Sequence, residues 1–421
     1  MTIVARKSNT RAAQGAGSIR QRPDGRWEAR FTLGRDPGTG KQVRKSVYGA
    51  TQKEVRQLMT KAIADYDAGN YFEPSKLTLG EWLDIWTAEY MGDKKYLTVK
   101  HYKAQVETHI KPALGATPLS KISPHIIQKF YNDLLKQGRT IPKKDKDGKT
   151  VKKNGETVTE KAPLSAKSVR NIHGVLTKSL SVAVNVGYIR DNPADRVTLP
   201  RVEKKELHPL ADEQVKLFLN ASEKDKYGVV MKVTLFTGLR ESEVLGLTWD
   251  CVDFKTGSLT INKQLQKRSV ADGGTVFASL KNDKARVIKP APFVMGLLEQ
   301  RRKLQALQRL QAGELWEGWH SEEERDTALV FTNEIGKPIT HTTLRRHFKQ
   351  IVTEIGLPES RVHDLRHTFA VLSLQNGDDI KTVQGNLGHA TAAFTLDVYG
   401  HVSERMKDDS AARMEAYIKN L

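Results

Sequence analysis

The stretch RVHDLRHTFA, residues 361–370, sets His363 and His367 four residues apart and places Asp364 beside the first of them. On a helix this spacing brings both imidazoles to one face. The zinc-binding H-E-x-x-H motif of metalloproteases uses the same spacing, with glutamate as the general base. The sequence therefore allows two interpretations of this helix, a metal site or a site for an anion.

Arg366 favours the anion. A fixed guanidinium beside a divalent cation costs Coulomb energy, the side chain of Asp364 is one methylene shorter than that of glutamate, and His389 is the only candidate third ligand nearby. By contrast, a guanidinium is planar, always charged and suited to holding phosphate oxygens through two hydrogen bonds. We therefore expect a phosphate site without a metal, and a zinc hydrolase is the lesser alternative.

The composition points to the same kind of ligand. The 421 residues include 68 Lys and Arg against 49 Asp and Glu, a formal net charge of +19. Such an excess indicates an anionic partner, nucleic acid before an acidic membrane surface. The lone cysteine, Cys251, cannot form an internal disulfide, which is typical of a reducing compartment. No signal-peptide pattern or membrane-spanning apolar run is present.

The N-terminal region predicts a small sheet. Residues 17–47 alternate apolar and polar positions, with turn signals at PDG and GTG, and the helical stretch TQKEVRQLMTKAIADYDAG follows and ends at Gly69. One helix covers one face of a three-stranded sheet and leaves the other face open. Clustered arginines on the open face are suited to contacts with phosphates and bases, so this face is a candidate DNA-binding surface. The alternative is a basic face that is only solvated. The residues expected on the free face are Arg20, Arg22, Arg30, and Arg44 or Lys45, depending on the strand register.

The next region, 77–197, predicts a helical domain. Thr78 and Glu81 form a capping box before a helix whose Trp82 and Trp86 lie on the apolar face. A second helix, YLTVKHYKAQVETHI, should end before Pro112 because proline lacks the N–H that a helix interior needs. Two more helices follow: one begins at Ser123 and stops at Gly138, and one is SAKSVRNIHGVLTKSLSVAVNVGY, which presents the candidate DNA-binding residues Lys167 and Arg170.

An insert, 138–163, separates the last two helices. Its Asp147-Gly148 and Asn154-Gly155 pairs are signals for hairpin turns. Two interpretations stay open for it, a basic β-hairpin that contacts DNA or a partner, and a mobile surface loop.

The last region, 205–421, predicts a mainly helical domain interrupted by the antiparallel stretch GSLTINKQLQKRSVADGGTVFASLKNDKARVIKP. It carries three further candidate residues: Arg240 just past Gly238, which we interpret as a helix entry, His389 after a Leu-Gly pair, and Tyr399. Arginines stabilise the charge of a pentacoordinate phosphorus, and a tyrosine can serve as the nucleophile. The residue set is typical of phosphoryl transfer.

In this order, TGLRESE, HDLRHTFA, LGHA and TLDVYGHV resemble the tyrosine recombinase, or phage-type integrase, family. The resemblance implies a multidomain fold, mainly α with small β-sheets. Residues 1–75 would be an arm-type DNA-binding domain with a three-stranded sheet plus helix, 77–197 a helical core-binding domain, and 205–421 a mixed, mainly helical catalytic domain.

The resemblance also implies roles by position. Arg240 and Arg366 match the catalytic arginines, His363 and His389 the two histidines, and Tyr399 the nucleophile that forms a 3′-phosphotyrosyl link to DNA. The general-acid lysine matches Lys281; this chain has Lys281-Asn282 where the family usually has Lys-Thr, so Lys284 competes for the role.

The implied activity is site-specific DNA recombination without a cofactor. The arm-type domain favours an integrase of a phage or of an integrative or conjugative transposon. Expected partners are double-stranded DNA attachment sites, three further copies in a homotetramer that exchanges the helical stretch 402–421, and accessory factors such as an excisionase and a DNA-bending protein. We expect it in the bacterial cytoplasm, at the nucleoid when bound to DNA. A type IB topoisomerase-like enzyme and an inactive DNA-binding protein are the alternatives.

Overall fold

The computed structural model describes residues 17–35, 42–67, 76–147, 149–203, 208–389 and 404–420. The chain forms two compact units, Met1–Lys204 and Lys205–Leu421. Helices predominate in both and the sheets are small, which confirms the predicted fold class. The finer boundaries 1–75, 77–197 and 205–421 stay predictions.

The N-terminal sheet forms as predicted. Its antiparallel strands are β1 (Ser18–Gln21), β2 (Trp27–Arg35) and β3 (Gln42–Gly49), and α1 (Gln52–Asp67) follows. Alternation turns Ala29 and Phe31 towards α1, where they are buried with Val55 and Met59. Gly69, the expected end of this helix, lies outside the described residues.

The strand register decides between Arg44 and Lys45. Arg44 lies opposite Thr32, on the face that α1 leaves open. Lys45 lies opposite Phe31, whose side chain is buried on the α1 side. Because a shift of one residue moves a side chain to the other face of a sheet, Lys45 does not belong to the open basic face, and its expected place there is wrong.

The helical region buries one core. Leu79, Trp82, Leu83 and Trp86 are buried on the first of its helices, whose Thr78 and Glu81 form the predicted capping box. These tryptophans are therefore core residues. The helices are α2 (Leu79–Glu89), α3 (Tyr96–Gln105), α4 (Lys111–Leu114), α5 (Pro124–Gln137) and α6 (Ala166–Asn185).

The second predicted helix does not end before Pro112. A π-helical turn, Val106–Ile110, continues α3 directly into α4, where Pro112 occupies the first turn. Within this turn the N–H of Lys111 donates to the carbonyl of Val106, five residues back. A proline is tolerated at a helix start because the N–H that it lacks would have no partner there. The π turn resets the bonding pattern and so places Pro112 at such a start.

The insert is a forked β-structure. Its base pairs β4 (Arg139–Pro142) with β7 (Thr159–Ala162), and one branch pairs β5 (Lys152–Lys153) with β6 (Glu156–Thr157). Asn154 and Gly155 both have positive φ, 53° and 81°, as a type I′ hairpin turn requires. The other branch closes around Asp145, which accepts the N–H groups of Asp147 and Lys149.

The second unit surrounds a large apolar core. Strands β8 (Val252–Asp253), β9 (Ser258–Ile261) and β12 (Arg286–Ile288) form one sheet, and β10 (Lys263–Lys267) pairs with β11 (Thr275–Ser279). The predicted antiparallel stretch is thus present. The helices are α7 (Asp212–Glu223), α8 (Gly228–Thr237), α9 (Glu241–Leu245), α10 (Pro292–Ala312), α11 (Glu322–Thr327), α12 (His341–Glu354), α13 (Val362–Gln375), α14 (Ile380–Leu387) and α15 (Glu404–Lys419).

Among the described residues, no helix combines the length and the apolar character needed to cross a membrane.

Candidate active site

Gly238 marks the end of a helix and not the helix entry expected from the sequence. It caps the C-terminus of α8 with a left-handed backbone, φ 64°. A Cβ at this position would lie 2.4 Å from a ring carbon of Phe369, so only glycine fits. The chain then turns through Leu239, and Arg240 becomes the N-cap residue of the short helix α9.

Arg366 lies at the centre of the site. It is only 2% exposed, and it donates from Nη1 to the carbonyl of Gly238 and from Nη2 to the carbonyl of Leu387, each at 2.6 Å. Helix α13 therefore holds together the turn before Arg240 and the end of α14, next to His389. Two arginines and a histidine that are far apart in the sequence meet in this way.

Arg240 is held by Glu243. Its Nη1 donates to Oε1 of Glu243 at 2.7 Å, and its backbone N–H donates to Oε2 at 3.0 Å. Its Nη2 also reaches the carbonyl of Gly388, at 3.2 Å. The Arg240 side chain remains 25% exposed, so the fixed guanidinium is accessible to a ligand.

Arg286, which we did not single out from the sequence, completes this arrangement. It donates from Nη2 to Oε2 of Glu243 at 2.6 Å and from Nε to the carbonyl of Asn386 at 2.9 Å. Gly388 has φ 62°, and a Cβ there would lie 2.9 Å from Nη1 of Arg286. Burial alone would raise the pKa of Glu243, but the hydrogen bond and charge of Arg286, together with Arg240, lower it to about 2.

Sequence reasoning missed Arg286 because one more arginine in the basic stretch SLKNDKARVI carries no spacing signal of its own. The carboxylate of Glu243 lies beside Arg240 and accepts hydrogen bonds from it. Only the approach of β12 to α9 and α14 shows that two arginines share this carboxylate.

The histidines of the site are held neutral. The rings of His363 and His367 pack edge to face with their centroids 4.8 Å apart. Burial and then Arg366 lower the pKa of His363. Burial and then His363 lower the pKa of His367 to about 4, and burial, Arg366 and Arg240 lower that of His389 to about 3. The imidazoles are therefore neutral hydrogen-bonding groups at physiological pH, and a phosphate bound beside them would offset the charge of the arginines and favour their protonation.

Both candidate lysines reach the same cavity. Lys281 lies in the turn that leaves β11, and Lys284 lies just before β12. A cavity of about 340 Å³ is lined by both lysines and by Arg240, Arg286, Gly388 and His389. Four of these six lining residues are cations and none of the six is acidic, so the cavity is suited to an anion such as a phosphodiester.

The remaining predicted residues are distributed as follows. Tyr399 lies outside the described residues. Asp364, beside His363, accepts three hydrogen bonds from Arg361, from its backbone N–H at 2.9 Å, from Nη2 at 2.8 Å and from Nε at 3.3 Å, so it caps α13. In the part of the chain that the structure describes, no three histidine, cysteine or acidic side chains are grouped to hold a metal.

The predicted DNA-binding residues lie in the first unit. Arg20 and Arg30 are exposed on the open face of the N-terminal sheet, and the guanidinium of Arg22 lies 5.5 Å from the ring centre of Tyr48 on that face. Lys167 is exposed on α6. Arg170 is exposed too, but its Nε donates to the carbonyl of Pro200 at 2.8 Å, so part of its guanidinium anchors the segment that follows α6.

Two family descriptions match the chain. Residues 208–406 match the phage integrase family, and residues 78–135 match the N-terminal SAM-like domain of phage integrases. The first match contains every residue of the candidate active site and the second lies within the helical region.

Known relatives extend over nearly the whole chain. A XerC-like tyrosine recombinase of Caldanaerobacter subterraneus is 25% identical, over 90% of this chain and 93% of its own length. The ICEBs1 integrase of Bacillus subtilis is 23% identical, over 94% and 99%.

Solved structures share the fold. The Tn1549 transposon integrase in complex with a circular intermediate DNA matches with a TM-score of 0.62 and 20% identity, over 81% of this chain and 99% of that one. A lambda integrase dimer bound to a core site matches with a TM-score of 0.51 and 18% identity, over 95% and 99%. Membership rests on the two family matches, which together cover more than half of the chain and include the residues gathered around Arg366: the chain belongs to the phage integrase family of tyrosine recombinases, enzymes of site-specific DNA recombination.

Proposed function

We propose that the chain is the integrase of a mobile genetic element and that it cleaves and rejoins duplex DNA through a 3′-phosphotyrosyl intermediate. The observation that carries this proposal is the convergence of Arg240, Arg366 and His389 beside a lysine-lined cavity whose lining, among the described residues, includes no acidic side chain. A scissile phosphodiester fits that electrostatic environment.

The arginines and the histidines have separate tasks in this reaction. Arg240, fixed by Glu243, stabilises the charge of the pentacoordinate phosphorus, and Arg366 holds the surrounding turns and adds its own charge. One of the two histidines, His363 or His389, which are neutral before DNA binds, accepts the proton from the Tyr399 hydroxyl as its oxygen attacks phosphorus.

The lysine serves the leaving group. As the bond from phosphorus to the 5′-oxygen breaks, Lys281 donates a proton to that oxygen and a free 5′-hydroxyl results. A 5′-hydroxyl of another strand then gives its proton to Lys281 and attacks the phosphotyrosine, the tyrosine oxygen leaves and recovers its proton from the histidine, and the DNA backbone is restored. One phosphodiester replaces another, so the exchange needs no ATP.

The N-terminal sheet supports the mobile-element assignment. It offers Arg20, Arg22, Arg30 and Arg44 on one open face, a surface suited to a second class of DNA site in addition to the strand-exchange site. Residues Lys167 and Arg170 of α6 would contact the core site. We therefore infer an integrating and excising enzyme that works on attachment sites at the nucleoid of a bacterial cell.

Assembly follows from the need to exchange four strands. We propose a homotetramer on two synapsed sites, with an excisionase and a DNA-bending protein as accessory partners. Helix α15 exposes Met414, Tyr417 and Ile418, and these apolar side chains are suited to packing on a neighbouring copy.

Covalent trapping tests the proposed function. Wild-type protein and Tyr399→Phe are incubated in EDTA with nicked duplexes carrying candidate attachment sites, and the mixtures are run on a denaturing gel. We expect an adduct from wild type alone. An adduct that persists in Tyr399→Phe, or tight binding to its own site without any adduct, would overturn the assignment; relaxation of any supercoiled plasmid would favour the topoisomerase-like alternative.

The choice between Lys281 and Lys284 has its own test. A substrate with sulfur in place of the scissile 5′-oxygen releases a thiolate, which needs no general acid because a thiol has a pKa of roughly 8.5. With this substrate the cleavage activity of Lys281→Met should be restored, whereas that of Arg240→Met should not. Rescue of Lys284→Met, with normal activity of Lys281→Met, would reverse the assignment.

A further inference from the structure

Glu28 occupies an unusual place on the N-terminal sheet. It lies on the open face, away from α1, in register with Arg20 and Tyr48. Nevertheless its side chain is 0% exposed, because neighbouring side chains cover it. A carboxylate hidden in the middle of a basic surface needs an explanation beyond solubility.

Two arginines enclose this carboxylate. Arg20 donates from Nε and approaches with Nη2 to Oε2, each at 2.8 Å, and Arg30 donates from Nε to Oε1, also at 2.8 Å. The hydroxyl of Tyr48 lies 3.4 Å from Oε1. Both arginine side chains remain 57% exposed. The Arg20–Glu28–Arg30 cluster is therefore a buried anion under two accessible guanidinium groups.

The cluster is set by the strand register. Arg20 pairs directly with Glu28 across β1 and β2, and Arg30 follows Glu28 by two residues on the same strand and therefore on the same face. The hydrogen bond from Arg30, followed by that from Arg20, lowers the pKa of Glu28 to about 2 despite its burial. Glu28 thus stays ionised and both guanidinium planes stay fixed at physiological pH.

This arrangement fits a base better than a phosphate. A surface that only attracts the DNA backbone would gain from removing the central negative charge. Recognition of guanine has a different requirement, since O6 and N7 lie in the plane of the base and a guanidinium must meet them edge on with a fixed orientation. The negative charge of Glu28 weakens the attraction of this face for DNA, but its hydrogen bonds fix the orientation of the two guanidinium groups.

We propose that the Arg20–Glu28–Arg30 cluster reads guanines in the DNA major groove, with Arg20 and Arg30 in contact with the bases and Glu28 as the positioning residue. The inference rests on the proposed function, because it takes the open face to bind DNA. The major groove admits a β-sheet face and displays guanine O6 and N7 together. Arg22, over the ring of Tyr48, extends the same face.

Selection from a random duplex library with the full-length chain tests the proposal. Wild type should enrich a guanine-containing motif, with discrimination of about tenfold or more against adenine at each contacted guanine. Glu28→Gln has nearly the same shape but does not hold two cations, so it should lose that discrimination. Its affinity for non-specific DNA should rise, because the chain gains one positive charge.

Three further variants make the test decisive. Arg20→Lys and Arg30→Lys keep the charge but not the planar fork, so each should lose a guanine preference while non-specific affinity is retained. Asp191→Asn breaks an exposed arginine–carboxylate pair outside this sheet, with Arg196, and also adds one charge. It should keep the wild-type motif.

The outcomes separate the two proposals. We expect a second motif, which the rest of the chain recognises and which none of the four variants changes. This second motif reports correct folding and supports the proposed function. If Glu28→Gln, or both lysine variants, select the wild-type guanine motif with unchanged discrimination, the inference is overturned and the proposed function stands. If wild type enriches no sequence at all, both are overturned. The lysine variants decide the matter even if Glu28→Gln fails to fold.

Discussion

Arg286 is the residue that joins the parts of the candidate active site. Its guanidinium contacts Glu243, which holds Arg240, and the carbonyl of Asn386, which precedes the His389 turn. Its own strand, β12, begins just after the Lys281 turn. The charge of Arg286 matters less here than its fork of donors, because three acceptors on two elements are held at once.

Arg286→Lys should therefore slow DNA cleavage while DNA affinity is kept. A single ammonium cannot replace the fork, and a displacement of about 1 Å at a catalytic group can cost on the order of a hundredfold in rate. The measurement is the single-turnover rate of covalent adduct formation, with affinity from a binding titration. Arg345→Lys is the matched control, because Arg345 pairs with Glu241 at 2.8 Å in the same unit but is 65% exposed. Equal rates for the two variants would remove Arg286 from the site.

Gly388→Ala should damage the same contacts through the backbone. A left-handed conformation costs an alanine about 1–2 kcal/mol, and here the added methyl group also meets Arg286. Gly356→Ala separates the two effects, because φ is +77° and nothing lies within 4 Å of a Cβ there. Both variants should lose similar stability in urea unfolding, but only Gly388→Ala should lose cleavage. If both variants lost cleavage, lower stability alone would explain the effect of Gly388→Ala, and the contact with Arg286 would not be needed.

At the scale of elements, the chain accommodates local exceptions without changing its topology. The π turn at Val106–Ile110 lets one helical rod continue past Pro112. The forked insert leaves α5 and returns to α6, and its base strands end opposite each other at Pro142 and Thr159. Apart from Ala162 its side chains are exposed or half-buried, so it adds little to the core.

Replacing residues 143–158 by Asn-Gly should leave the first unit folded. Pro142 and Thr159 are paired, so a two-residue type I′ turn can close the shortened hairpin. The change in unfolding free energy should stay within about 1 kcal/mol, since none of the described residues in this segment is buried. The deleted segment carries six lysines against three acids, and the salt dependence of DNA binding should become shallower. A cooperative loss of helical signal would show that the fork is structural.

At the scale of the whole molecule, the neutral histidines make stability depend on pH. In the folded chain the pKa values of His363, His367 and His389 are all lowered. Below their unfolded pKa of roughly 6.5 the unfolded chain binds more protons than the folded one, so acid favours unfolding. The carboxylates Glu28 and Glu243, with pKa values of about 2 in the folded chain, lose their contribution only at lower pH.

The midpoint temperature of thermal unfolding should therefore decrease as the pH is lowered from 7 to 5. His367→Asn removes the histidine whose pKa is lowered to about 4 and should make this fall shallower than in wild type, as measured by thermal unfolding in matched buffers. His320→Asn, which replaces a histidine far from the site in the sequence, is the control and should keep the wild-type slope. Bound DNA should oppose the fall, because a phosphate stabilises the protonated imidazole. A midpoint independent of pH in this range would contradict the lowered pKa values.

The sequence by itself determined most of the local structure and predicted the residues of the candidate site. Capping residues, apolar periodicity and turn pairs placed α2, α5, α6 and the N-terminal sheet, because these signals act over a few residues. The motifs around Arg240, Arg366 and His389 indicated phosphoryl transfer because the required charges and donors are properties of the residue types themselves. The roles assigned to these residues and to Tyr399 remain predictions.

The tertiary structure decided the features that depend on contacts between residues far apart in the sequence. The strand register assigned Arg44 to the open face and removed Lys45, since a shift of one residue reverses a side chain. Packing made Gly238 a helix end, carried a helix past Pro112, and buried Glu28 under two arginines. The sharing of Glu243 by Arg240 and Arg286 joins residues 43 positions apart. No local pattern encodes such a contact, because it exists only once separate elements have packed together.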